Sequence, residues 1–216
     1  MKRREMSIDR VQSFCDGVFA VIITILVINL RPPAAPTLTA LVTEWPTAVS
    51  YAASYLFVAI TWLNGHHLLQ HADRVTPKLI WSNFAHLFAV SLVPFSTAWM
   101  SRTRLSGVPV CLYACVFVLV NMSYMLLASE TVHAADGAIV SSQVKKLMFM
   151  RSAITLGIFM VAAAVALWLP VLGFCIVTGT LLSYMRPETP VRSWPRFAVD
   201  RICGSYGSRA PIRRRK

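Results

Sequence analysis

The chain has 216 residues, of which 56% are hydrophobic and only 14% are charged. Charged residues make up about a quarter of an average soluble domain, so this composition excludes an ordinary soluble enzyme and indicates an integral membrane protein of one domain. The formal net charge of +12 is concentrated at the two ends. A basic end on a membrane protein sets orientation and contacts lipid headgroups, so we expect membrane lipids rather than nucleic acid as partners.

Six apolar segments follow one another along the chain, and each predicts a membrane helix. An open sheet cannot satisfy its backbone hydrogen bonds in lipid, so the predicted fold class is all-α, with six transmembrane helices. The sixth segment is short for a full span. Residues 1–186 form the predicted transmembrane domain, and residues 187–216 form a basic tail. The segments are Val11–Leu30, Trp45–His67, Pro77–Ser101, Val108–Ala128, Lys146–Leu169 and Val171–Met185.

The basic residues predict how the chain crosses the membrane. Six spans place both termini on one side, and that side carries eighteen of the 21 Lys and Arg. The three others are Arg31, Arg102 and Arg104. Since basic residues are retained on the cytoplasmic side, both termini are predicted to be cytoplasmic. A basic start followed by an apolar run also occurs in signal peptides, but Asp16 inside that run argues against cleavage.

The first segment carries more polar groups than a lipid anchor needs. Asp16 lies within it, where an ionised carboxylate is costly and usually functional, and Arg10 lies at its entrance. Alternating spacings of four and three place a set of residues on one helical face. These residues are Arg10, Phe14, Gly17, Val21, Thr24, Ile28 and Arg31. Asp16 belongs to a neighbouring face, together with Ala20, Ile23, Val27 and Leu30.

Further polar residues fall at the cytoplasmic ends of the second and third segments, at the same depth as Arg10 and Asp16. Each would be costly in the membrane without a partner, so we predict an interhelical network. It joins Arg10 and Asp16 with Trp62, Asn83 and either His66 or His67. Two alternatives stay open. One is a proton relay in a transporter. The other is a metal site, although the usual spacings of catalytic metal helices are absent. Its possible ligands are Asp16, His66, His67, His71 and His86.

The first segment resembles a known family. Its sequence R-x-x-x-F-C-D-G-V-F-A, residues 10–20, is similar to the R-x-x-x-F-S-D-G-V-F-A signature of the transmembrane protein 175 family of potassium channels, with Cys15 in place of serine. The second segment is similar to the family's W-x-N-H-H pattern, with Gly65 in place of the first histidine and His66 as the second. Asn83 and the Pro94-Phe95 pair resemble the third-helix pattern. The last three segments are similar only in apolar character and spacing.

This resemblance implies a homotetramer in a prokaryotic plasma (inner) membrane, with the first helices lining a central potassium pore. In the family, an apolar residue five positions after the motif aspartate forms the constriction. Val21 is therefore expected to be a hydrophobic gate, with Thr24 and Ile28 as further pore-lining residues. The family's supporting network is expected at the motif positions, which are Arg10, Phe14, Asp16, Gly17, Trp62, His66 and Asn83.

The sequence contains no catalytic constellation: we find no G-x-S-x-G motif, no phosphate loop and no paired carboxylates. It also lacks a TVGYG-like selectivity filter. We therefore expect a channel that is not an enzyme and that has no bound metal and no cofactor apart from the permeant potassium ion. The alternative is a small secondary transporter or a metal-binding membrane enzyme that uses the Asp16 and His66 cluster.

Overall fold

The computed structural model of the protein describes residues 7–134 and 142–184. All regular structure in these residues is helical, which confirms the all-α part of the predicted fold class. The predicted tail, 187–216, lies outside the described residues. Eight helices are described, in the following order: α1 Ile8–Ile28, α2 Leu38–Thr43, α3 Trp45–Leu69, α4 Pro77–Ser91, α5 Val93–Arg102, α6 Gly107–Ala134, α7 Ser142–Ala166 and α8 Pro170–Tyr184.

Five stretches of the described chain are long and apolar enough to cross a membrane, and they correspond to the first five predicted segments. They comprise α1, α3, the α4–α5 pair, α6 and the last 18 residues of α7. The sixth predicted segment forms α8, which has 15 residues. At 1.5 Å per residue α8 is about 22 Å long, against about 30 Å of hydrocarbon, so the described part of α8 is shorter than a straight span.

The observed helices extend further into polar sequence than the predicted segments. α1 begins at Ile8 and includes Asp9 in its first turn, and α6 continues six residues past Ala128. The prediction followed apolar character, which marks the part of a helix in lipid and not the turns that project from it. α1 ends at Ile28, before the prolines of the following link. That link contains α2, which the sequence did not predict and which begins where the Thr37 hydroxyl accepts the Ala40 N–H at 3.2 Å.

The third span is divided into two arms. α4 ends at Ser91 and α5 begins at Val93, and Pro94 lies at the start of α5. Proline has no backbone N–H, and its ring clashes with the carbonyl group four residues earlier, so it bends a helix at this point.

The core lies around α6, which packs against α4, α5, α7 and α8. Phe117 of α6 is fully buried and stacks on Phe57 of α3, with 3.5 Å between ring centroids. Phe159 of α7 meets Phe117 edge-on at 5.5 Å. Small residues bring α7 and α8 close together, since a Cβ added to Gly173 would lie 2.7 Å from the Cβ of Ala166. α1 packs against α3, α4 and α5, and its buried residues belong to the same hydrophobic core.

Candidate functional site

α1 has two faces with opposite surroundings. One narrow stripe is buried against the rest of the chain, and it consists of Val11, Cys15, Phe19, Ile22 and Leu26. At 100° per residue, the mean direction of this stripe lies about 145° from that of the face containing Val21, Thr24 and Ile28. The chain therefore holds α1 from behind and leaves the face predicted to line a pore without a partner among the described residues.

The open face is mostly apolar and well exposed. Val21 is 58% exposed and Ile28 is 71% exposed. Gly17, one turn before Val21, has no atom within 4 Å of the place where a Cβ would stand. Thr24 carries a hydroxyl on this face, and that hydroxyl donates to the Ala20 carbonyl at 2.9 Å. Because this hydroxyl proton is used within α1, the Thr24 oxygen can only accept a hydrogen bond or bind a cation on the open face.

A hydrogen bond joins α1 to α3 beside this face. The Trp62 indole Nε1–H donates to the Asp16 carboxylate at 2.8 Å. The Trp62 ring stacks on His66, one turn later on α3, with centroids 5.5 Å apart. The His66 ring in turn contacts Gln70, with 3.0 Å between Nε2 of the histidine and Nε2 of the amide. Three successive turns of α3 thus support the Asp16 carboxylate and its partner.

The residue before Asp16 makes the matching connection to α4. Cys15 is buried and pairs with the Asn83 side chain, with its Sγ 3.3 Å from Nδ2 and 3.5 Å from Oδ1. The thiol acts as donor to the amide oxygen and as acceptor from the amide nitrogen, a role that serine would also fill. Gln12, one turn earlier, donates to the His66 carbonyl at 3.3 Å. Consecutive positions of α1 therefore connect it to two different helices.

The structure brings only part of the predicted network together. Asp16, Trp62 and His66 are in contact, and Asn83 joins the same region through Cys15. Phe14 lies edge-on to Phe84, with centroids 5.7 Å apart. The Arg10 side chain is exposed at the start of α1 and makes no hydrogen bond or ion pair within residues 7–134 and 142–184. Gly17 lies on the open face, away from the network.

The histidines do not gather around one point. His67 and His71 are both exposed, and a His71 ring nitrogen lies 2.7 Å from the His67 carbonyl oxygen of its own helix. Within the described part of the chain, no three His, Cys, Asp or Glu side chains are close enough to hold a metal ion.

A second polar cluster was not predicted from the sequence. The Ser54 hydroxyl of α3 lies 2.7 Å from Thr97 Oγ1 of α5 and 3.0 Å from the Tyr113 hydroxyl of α6. All three side chains are buried. The available signal was the presence of isolated hydroxyl residues inside three apolar segments, where each requires a partner. This cluster binds three helices together near the middle of α3, about three turns before His66.

Comparison with known proteins bears on these features. Residues 10–94 match the sequence profile of a family described as "Endosomal/lysosomal potassium channel TMEM175". The match covers α1, α3 and α4, and thus includes every residue of the network. Through this segment the chain is similar to the TMEM175 family. The resemblance found in the sequence is thereby confirmed.

Individual relatives agree with this similarity to the TMEM175 family. A potassium channel from Chryseobacterium sp. (strain P1-3) is 34% identical over 122 residues, which cover 56% of this chain and 64% of that protein. One from Streptomyces collinus is 32% identical over 126 residues, covering 55% and 61%. The matches therefore span less than two thirds of either relative. The relatives are named as channels and not as enzymes, in keeping with the lack of a catalytic motif in the sequence.

A solved structure supports the fold along most of the chain. It is the crystal structure of a lysosomal potassium-selective channel TMEM175 homolog from Chamaesiphon minutus. The two folds superimpose with a TM-score of 0.71 at 22% identity, over 82% of this chain and 95% of that one. At this identity the likeness concerns the fold alone, and it extends beyond residues 10–94 to helices whose sequences carry no family motif.

Replacing Trp62 with phenylalanine removes the N–H that binds Asp16 and keeps an aromatic ring. We expect a loss of stability of about 1–3 kcal/mol, the usual range for a hydrogen bond to a charged group. Thermal unfolding in detergent measures this loss. Trp81→Phe is the matched control, since Trp81 is exposed and its indole makes no hydrogen bond with the described residues.

Combining Trp62→Phe with Asp16→Ala tests whether the two side chains act as a pair. We expect the double variant to be about as stable as the less stable of the two single variants, because either change alone already removes the Trp62–Asp16 hydrogen bond. Fully additive losses would contradict the pairing.

Proposed function

We propose that this chain is a potassium-preferring cation channel that conducts passively through a central pore lined by α1. The observation that carries the proposal is the open face of α1 with Val21, Thr24 and Ile28, which lies opposite the face that packs on the chain's own helices. The names of the matched relatives support potassium as the permeant ion. The proposal needs no cofactor besides that ion.

Four copies of α1 around an axis would cover the open faces. The 21 residues of α1 span about 31 Å, which matches the thickness of the hydrocarbon layer. α3, α4 and α5 brace α1 from behind, so each subunit would bring a supported helix to the axis. The number four comes from the resemblance to the family.

The ends of the open face favour a water-filled axis over contact with lipid. Arg10 stands at one end of the stripe and Arg31 follows the other, and both are exposed. Four converging guanidinium groups repel one another unless water screens them. In a pore, the four copies of Arg10 and the four copies of Arg31 would each lie at a water-filled entrance.

The rings within the pore would have different effects on an ion. Rings of Val21 and Ile28 offer no hydrogen-bond partner, so a narrow passage at these levels loses its water and blocks ions without closing fully. An ion without its water finds no replacement ligand there. Four Thr24 oxygens, whose lone pairs are free, would offer the ion contacts between the two apolar rings. We therefore assign the barrier to Val21 and Ile28 and the ion contact to Thr24.

The network behind the pore would hold α1 in place. Cys15 belongs to the buried stripe and contacts Asn83, and Asp16 lies between the two faces and contacts Trp62. Neither lies on the face of Val21. We therefore assign these residues to folding and assembly rather than to ion contact.

The charge distribution supports a multi-pass protein of the plasma (inner) membrane with both termini cytoplasmic. Arg31, Arg102 and Arg104 lie in the predicted outer links, and all three are exposed. The remaining eighteen basic residues lie on the predicted inner side, and many of them fall outside the described residues.

The conductance itself is tested with the protein in a bilayer, with potassium on one side and sodium on the other. We expect a reversal potential displaced toward the potassium equilibrium potential. Thr24→Val removes the hydroxyl at nearly constant size and should reduce the preference for potassium, whereas Thr24→Ser should keep it. An absence of current, or a current without ion preference, would contradict the proposal.

Val21→Asn tests the apolar barrier. A polar ring stays hydrated, so we expect the resting current to rise severalfold or more. The matched control is Val27→Asn, because Val27 is also an exposed valine of α1 but lies on the Asp16 side of the helix. Equal conductance in wild type and Val21→Asn, with normal assembly, would remove Val21 from the pore.

Orientation is tested with a thiol reagent that does not cross membranes. Cys203, in the predicted tail outside the described residues, should be labelled only after the cells are permeabilised. Ser106→Cys, in the exposed turn between α5 and α6, should be labelled in intact cells. The reverse pattern would refute the proposed topology.

A further inference from the structure

A small cavity lies behind α1, between α1, α3, α4 and α6. Its volume is about 10 Å³, which is room for a single water molecule. Two histidines from different helices line it, His66 of α3 and His86 of α4, and Gly65 lines it as well. Asp16 and Asn83 contribute further polar groups to its wall.

His86 brings an acceptor atom to this cavity. Its side chain is only 2% exposed, and its Nδ1 lies 3.0 Å from the Ser123 hydroxyl of α6. That hydroxyl already donates its proton to the Val120 carbonyl at 2.8 Å, so Nδ1 must be the donor in the contact with His86. Nε2 then carries no proton and can only accept a hydrogen bond. It is buried and has no partner among the described residues.

His66 brings a donor. Its Nε2 faces the Gln70 amide nitrogen at 3.0 Å, and an amide nitrogen can only donate. His66 Nε2 is therefore the acceptor in that contact, and the ring proton is on Nδ1. This N–H is also buried and has no partner within the described part of the chain.

We propose that the cavity is a binding site for one water molecule that bridges His66 and His86. The water accepts a hydrogen bond from His66 Nδ1–H and donates one to His86 Nε2, which gives both buried atoms a partner. Leaving such atoms unpaired is costly inside a protein, and it is more costly within a membrane, where bulk water cannot reach them. The bridge ties α3 to α4, and through Ser123 it reaches α6.

The chemistry of the wall favours water over a cation. A metal ion would need lone pairs from every side, but His66 presents an N–H to the cavity. No three His, Cys, Asp or Glu side chains in residues 7–134 and 142–184 are arranged to bind a metal ion. A water molecule, by contrast, both donates and accepts, which is what one donor and one acceptor require.

Gly65 makes the space for this water. It is buried, it lines the cavity, and no atom lies within 4 Å of the position that its Cβ would occupy. A methyl group at this position would fill part of the cavity without replacing the hydrogen bonds of the water. A hydroxymethyl group would fill the same space and supply a hydroxyl that can donate and accept.

The test compares Gly65→Ala with Gly65→Ser in the full-length protein, and uses Gly157 as the control position. Gly157 lies within the span of α7, and its Cβ position also has no atom within 4 Å. Alanine is the better helix former, so alanine should exceed serine in melting temperature at position 157. At position 65 the order should reverse, with serine above alanine by roughly 2–4 °C.

A second measurement uses the unmodified protein in lipid, with ¹⁵N-labelled histidine. Transfer of magnetisation from water protons to His86 Nε2 in solid-state NMR is expected, and it supports the site even if the Gly65 variants fail to fold. The proposal would be overturned if the alanine variant had the higher melting temperature at both positions. It would also be overturned if the His66 and His86 nitrogen signals showed no contact with water. Neither readout depends on ion conduction, so the proposed function can fail while this site stands.

Discussion

The structure depends on one constraint, which is that α1 is attached to its own chain by a single narrow stripe. Only five of its residues, between Val11 and Leu26, are fully buried, and the remaining residues are partly or fully exposed. A helix held so lightly needs further anchoring, and the polar contacts beside the stripe provide it. Asp16 joins α1 to α3 through Trp62, and Cys15 joins it to α4 through Asn83. These anchors fix the direction in which Val21, Thr24 and Ile28 point.

The other helices are joined by polar contacts at two depths of the membrane. Near the end of α3, His66 and the cavity connect α3 with α1 and α4. About 18 Å earlier along α3, Ser54 connects it with α5 and α6 through Thr97 and Tyr113. Between the two lies the aromatic core around Phe57 and Phe117. Hydrophobic burial gives little preference for one helix pairing over another in lipid, so such polar contacts carry much of the specificity.

The sequence was sufficient for the fold class, the approximate spans and the exposed stripe of α1, because each of these follows from apolar character and helical period. It also indicated that Asp16, Trp62 and His66 would meet, since costly polar groups fell at one depth.

It did not indicate that Cys15, and not Asp16, would bind Asn83, because two adjacent residues on a helix reach different neighbours only once the packing is known. The contact of Gln12 with His66, the contact of His86 with Ser123 and the Ser54 cluster were missed for a related reason. Their partners lie on helices whose rotation about their own axes the sequence leaves open. α2 was missed because the prolines that precede it indicate a loop.

The bend in the third span has a mechanical consequence. Asn83 and His86 belong to its first arm and connect with α1 and α6, whereas Thr97 belongs to its second arm and connects with Ser54 of α3. Pro94 has no N–H, so the hydrogen bond that would resist bending there is already missing. The span is therefore easier to bend at Pro94 than a continuous helix would be. The two arms are therefore anchored to the rest of the chain by different polar contacts, on either side of the place where the span lacks a backbone hydrogen bond.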